Sequence, residues 1–130
     1  MLSKSDHINY WKQSSADSWE TATYLYDGKK YPEALFLFCL AIEKILKAQW
    51  VKDNVNNFPP RIHDLHSLYA ETTLELDAES LDFLATINRW NIEGRYPDYR
   101  FTLKKMATQD YMEKQFVKLN VLKQCLLKDL

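Results

Sequence analysis

The segment that most constrains this chain is Pro32-Glu33 followed by Ala-Leu-Phe-Leu-Phe-Cys-Leu-Ala-Ile at 34–42. Proline suits the first turn of a helix, where its missing N–H would have no partner anyway. The residues after Glu33 are apolar on every face of a helix, and such a helix has to be covered on all sides. Either it runs through the centre of a bundle or it turns part of its surface to a second subunit. In a domain this small the second solution favours a homodimer. The run is far short of the roughly 20 apolar residues that cross a bilayer.

The remaining segments read as helices too. Two glycines and four prolines in 130 residues are too few for the many tight turns of a β-sandwich or barrel. A first helix is predicted from about Ser5 to Asp27, capped by Ser5 or Asp6 and stopped by Gly28 in the left-handed region. Its Ile8, Trp11, Ser15, Trp19, Ala22 and Tyr26 form one stripe at three- and four-residue spacing. The second helix opens at Tyr31-Pro32-Glu33. Asn-Val-Asn-Asn-Phe-Pro-Pro at 54–60 reads as a loop. Leu65, Leu68, Tyr69 and Leu74 then mark a short third helix. A fourth starts near Asp77 and ends near Gly94, since Pro97 disfavours helical geometry at Tyr96. A fifth runs from about Thr108 to Lys128. The expected fold is all-α: an antiparallel up-and-down four-helix bundle with an additional short helix, about five helices in one domain spanning 1–130.

A net charge of −1 excludes the large basic excess of a duplex-binding protein and leaves room for a local patch only. Cys39 and Cys125 both sit in apolar stretches and are expected as small buried hydrophobes, in keeping with a reducing cytoplasm. The polar start Met-Leu-Ser-Lys-Ser-Asp-His has no apolar signal core, so a soluble, cytoplasmic protein without a membrane role is expected. With two glycines there is no phosphate-cradling loop. His63 and His66 share a helical face near Asp64 and Glu71. Two histidines without a third spaced ligand make a poor metal site, and neither metal nor cofactor is expected.

Two clusters remain. Glu43 and Lys47 have the four-residue spacing of a helical ion pair, worth about 0.2–0.5 kcal/mol when exposed. They form either an exposed polar stripe on a buried helix or the lining of a polar cleft. From Arg89 to Lys105, arginines and lysines alternate with Tyr96, Tyr99 and Phe101. Guanidiniums bind phosphate bidentately and aromatic rings stack on bases, so this mixture suits a nucleotide or single-stranded RNA. The alternative is a packed corner in which Arg95 complements a helix C-terminus.

Several pieces also resemble a known family. They are His-Ile-Asn-Tyr-Trp-Lys-Gln-Ser-Ser-Ala-Asp at 7–17, Tyr-Pro-Glu-Ala-Leu-Phe at 31–36 and Ala-Ile-Glu-Lys-Ile-Leu-Lys-Ala at 41–48. Pro-Pro-Arg-Ile-His-Asp-Leu at 59–65 and Ile-Glu-Gly-Arg-Tyr-Pro-Asp-Tyr at 92–99 follow. In this order and spacing they look like the HEPN family, named for nucleotide binding in higher eukaryotes and prokaryotes. The resemblance implies a bundle of about five helices that commonly dimerises. It also implies a possible minimal nucleotidyltransferase partner, in two-component modules of toxin–antitoxin type. Many members are metal-independent ribonucleases that use an arginine, four to six residues, then a histidine. Arg95 matches that arginine, while Arg100, Phe101 and Thr102 occupy the positions open to the histidine. Some members also carry an AMP-accepting tyrosine two residues further on, where Thr102 stands. Arginine does not titrate near neutral pH, so Arg100 can stabilise charge but cannot shuttle protons.

The expectation is therefore a nucleotide- or RNA-binding domain with Arg95, Tyr96, Asp98, Tyr99, Arg100, Glu43 and Lys47 at its ligand. The alternatives are a ribonuclease that pairs Arg95 with His63, and a non-catalytic interaction subunit.

Overall fold

In a computed structural model that describes residues 1–96, 98 and 101–130, the chain forms six helices. They are α1 (Lys4–Asp27), α2 (Tyr31–Asp53), α3 (Leu65–Ala70), α4 (Ala78–Arg95), α5 (Thr102–Met106) and α6 (Gln109–Leu127). The four long ones make the expected bundle, and ring contacts give its directions. Tyr26 meets Tyr31 and Trp19 meets Phe38, so α1 and α2 run antiparallel. Gly94 lies against Phe36, while an Asn91 backbone group bonds Cys39, so α2 and α4 are antiparallel as well. Trp90 pairs with Tyr111 and Phe83 with Lys118, which sets α6 antiparallel to α4.

Helix α2 is the axis of this arrangement. Leu35, Phe38, Ile42 and Leu46 are fully buried, with α1, α4 and α6 all packed against it. Most of the apolar run at 34–42 is thus covered within one chain, while Phe36, Leu37 and Leu40 keep part of their surface exposed. Helix α1 reaches α2 closely because it presents small residues, Ser15, Ser18 and Ala22, and the Ser15 hydroxyl donates to the Ala41 carbonyl at 2.7 Å.

Local signals differ from expectation in instructive ways. Ser3, not Ser5, caps α1: its hydroxyl accepts from the Asp6 N–H, while Asp6 accepts from the Ser3 N–H. This reciprocal capping box starts the helix a residue early. Gly28 has φ −82° and is not left-handed; Lys29 takes the positive φ of 60°. Helix α3 ends at Ala70, leaving Leu74 beyond it. Helix α5 is additional, five residues too short to show a stripe. Cys39 is buried as expected, but Cys125 is exposed. No helix among the described residues is long and apolar enough to cross a membrane.

One glycine sets the distance between α2 and α4. A Cβ at Gly94 would stand 2.9 Å from Phe36 Cδ2 and 3.1 Å from its Cβ. Gly94→Ala should therefore lower stability: overpacking costs about 1–3 kcal/mol, and alanine's helix propensity returns about 1. Gly94→Val should be worse. Urea midpoints for the two variants check this.

Candidate functional site

Helices α2 and α4 carry three of the residues expected at the site, Glu43, Lys47 and Arg95. On α4, Asn88, Asn91 and Arg95 fall three and four residues apart and share one face. On α2, Phe36, Cys39, Glu43 and Lys47 do the same.

Arg95 occupies one end. It is exposed, its guanidinium carbon lies 5.2 Å from the centre of the Phe36 ring, and its Nε–H donates to Asn91 Oδ1 at 3.0 Å. The ring face and this bond hold the guanidinium in place, and no carboxylate among the described residues pairs with it. Beneath it lies Cys39, whose thiol is pushed up to about 12 by burial and by the Glu43 carboxylate, with Arg95 opposing. A thiol so held stays protonated and is no nucleophile.

At the other end, Glu43 and Lys47 are buried, at 3% and 7% exposure. The Lys47 ammonium donates to Glu43 Oε2 at 3.1 Å and stands 5.3 Å from the Trp11 ring centre. The exposed stripe anticipated from the four-residue spacing is in fact a buried ion pair. His63 closes it from the loop before α3, with Nδ1 3.0 Å from Glu43 Oε1. A carboxylate can only accept, so Nδ1 carries a proton and Nε2 is the nitrogen that Glu43 does not engage. The His63 side chain is half exposed.

Asn88 fastens this loop. Its Oδ1 accepts the Leu65 N–H at 2.9 Å, and its amide donates to Asp64 at 2.7 Å and to His66 Nδ1 at 3.2 Å. His66 Nε2 then donates to the Leu81 carbonyl. Ser67 and Asn88 together hold the Asp64 carboxyl below its usual range. Both His66 nitrogens are engaged and His63 turns to Glu43, so the two histidines do not converge on one point. Glu71 instead accepts from the Trp50 indole N–H. No group of three or more His, Cys, Asp or Glu residues among those described is placed to hold a metal.

Of the remaining predicted residues, the described ones border a cavity of about 670 Å³ beside Arg95. Tyr96 and Asp98 line it. Asp98 Oδ1 accepts the Thr102 N–H at 2.9 Å, and its other oxygen accepts the Thr102 hydroxyl. Tyr99 and Arg100 lie outside the described residues. Arg95 and His63 are not in contact. Their anchors on α2, Phe36 and Glu43, are seven residues apart, roughly 10 Å along the axis.

Sequence reasoning missed Asn88, Trp11 and Phe36 as parts of the site. A signal for Asn88 existed in its spacing to Asn91 and Arg95; for Trp11, whose contact spans two helices, none did.

Nothing matches among curated proteins or solved structures. A family model described as the HEPN domain does match, over residues 8–119, and that span contains Glu43, Lys47, His63, Asn91 and Arg95. The chain belongs to the HEPN domain family.

Proposed function

We propose that this chain binds the phosphate of a nucleotide or of RNA on Arg95, at the mouth of the α2–α4 groove. Membership of the HEPN family supports a nucleotide- or RNA-related function. The observation that carries the reading is the preset guanidinium: over the Phe36 ring, held at Nε by Asn91, and free of any described carboxylate. An arginine whose plane is already fixed forfeits less entropy when it makes a bidentate phosphate contact. Tyr96 adds an exposed ring beside it. Tyr99 and Arg100 belong to the proposed ligand set on their residue types. Glu43 and Lys47 enter it indirectly, by fixing the wall of the groove that holds His63. A homodimer and a minimal nucleotidyltransferase partner belong to the same proposal, since HEPN domains often form dimers; sedimentation and co-expression test them.

Calorimetry with ATP, GTP and short RNAs tests the ligand. Charge-assisted bonds to phosphate are worth about 1.5–3 kcal/mol, so Arg95→Ala should weaken binding about 10- to 100-fold. Arg95→Lys should recover only part of it. Equal binding by wild type and Arg95→Ala rejects the reading.

A second reading, metal-independent ribonuclease, is favoured by one observation. His63 is oriented by Glu43 with Nε2 directed away, the arrangement of a general base. RNA incubated with chelator decides it. Cleavage lost in both His63→Ala and Arg95→Ala supports the enzyme, and an inert wild type rejects it.

A further inference from the structure

Helix α6 carries more apolar surface than its own chain covers. Val117, Val121 and Cys125 fall four residues apart on one face, and all three are exposed, the valines at 66% and 60%. Beside this face α4 and α6 flank a cleft of about 420 Å³. Phe83, Leu122 and the two valines give it apolar walls. Asp77, Glu79 and Asp82 stand on its α4 side, all exposed, and among the described residues Lys118 is the one cation that lines it. Asp77 caps α4 and Glu79 sits in its first turn, where a carboxylate suits the helix dipole. Asp82 lies beyond that turn and has no such role.

We propose that this cleft docks a basic amphipathic helix of another protein. An apolar face left open on a small domain and edged with charge marks a surface for association. The charge selects the occupant. A second copy of this chain, meeting the cleft about a twofold axis, would set like carboxylates against each other. A helix with lysines or arginines flanking an apolar stripe meets both features at once. Its apolar residues, at three- and four-residue spacing, rest on Val117, Val121 and Phe83, while its cations face Glu79 and Asp82. From Val117 to Cys125 the exposed stripe runs about 12 Å, close to two turns of such a helix. Asp82 and Arg95 are thirteen residues apart on α4, roughly 20 Å, so the docking surface is independent of the ligand on Arg95.

An amide NMR titration of the full chain tests this with two synthetic peptides of about 18 residues, long enough to hold a helix. Both carry leucine along one face; the flanks are lysine in one and glutamate in the other. The lysine peptide should give saturable shifts centred on Phe83, Thr86, Val117 and Val121, and its binding should weaken as salt rises. The glutamate peptide should give none. Val121→Asp should weaken the lysine peptide by at least about 10-fold, because it sets a charge on the apolar contact. Asp82→Lys should weaken it by removing a counter-charge. Both positions are exposed, so the fold should survive, and unfolding midpoints check that. An absence of saturable shifts with the lysine peptide, equal binding of the two peptides, or binding unchanged in either variant overturns the proposal. Shifts of the same amides that grow with protein concentration, without any peptide, assign the face to a second copy and overturn it too.

Discussion

Glu43→Ala should be among the most destabilising single substitutions in this protein, lowering its stability by about 3–5 kcal/mol. Glu43 is the only described carboxylate in contact with the buried Lys47 ammonium, and it also anchors His63. Removing it leaves a cation at 7% exposure with the Trp11 ring beside it and no counter-charge. That loss is a large part of the roughly 5–15 kcal/mol that holds a small domain folded. The cause is desolvation of the remaining charge, which distinguishes it from the loss of an attractive pair. The double variant Glu43→Leu/Lys47→Met removes both charges at similar volume and should regain most of the stability. His63→Ala removes a half-exposed partner and should cost only about 1 kcal/mol. Guanidinium midpoints for the three variants separate these outcomes. A double variant no more stable than Glu43→Ala contradicts the account.

Trp90→Ala should have a comparable effect for a different reason. Trp90 is fully buried, packs edge-on against Phe83, and donates its indole N–H to the Tyr111 hydroxyl at 3.0 Å. Deleting a large buried aromatic costs about 3–5 kcal/mol in lost burial and residual cavity. The same bond allows a finer check. Tyr111→Phe keeps the packing but strands the indole donor, and should cost about 1–3 kcal/mol. Thermal or urea unfolding measures both. A Tyr111→Phe protein as stable as the wild type would show that the hydrogen bond contributes nothing.

The bundle was legible in the sequence because its stripes are long. Trp19 and Ala22 on α1, Leu84 and Ile87 on α4, and Leu119, Leu122 and Leu126 on α6 sit at helical spacing over many turns, and the structure packs them into one core. Short features were less legible. Helix α5 has five residues, too few for a period to show, and two of them are lysines. The left-handed turn after α1 fell on Lys29 because Gly28 already caps the last turn, its N–H donating to the Tyr24 carbonyl.

The site was half legible. Spacing linked Glu43 to Lys47 and marked Arg95, but spacing cannot report burial. An i, i+4 pair reads the same whether it faces solvent or the Trp11 ring. Nor could it place His63, which reaches Glu43 from a loop twenty residues on. Only the tertiary structure shows that His63 and Arg95 lie at different points along α2.

Whether Arg95 receives a ligand phosphate at the α2–α4 groove is decided by an amide NMR titration with GMP. The account predicts saturable shifts centred on Phe36, Asn91, Gly94 and Arg95, absent from the same titration of Arg95→Ala. Saturable shifts centred elsewhere, or a pattern unchanged in Arg95→Ala, would contradict it.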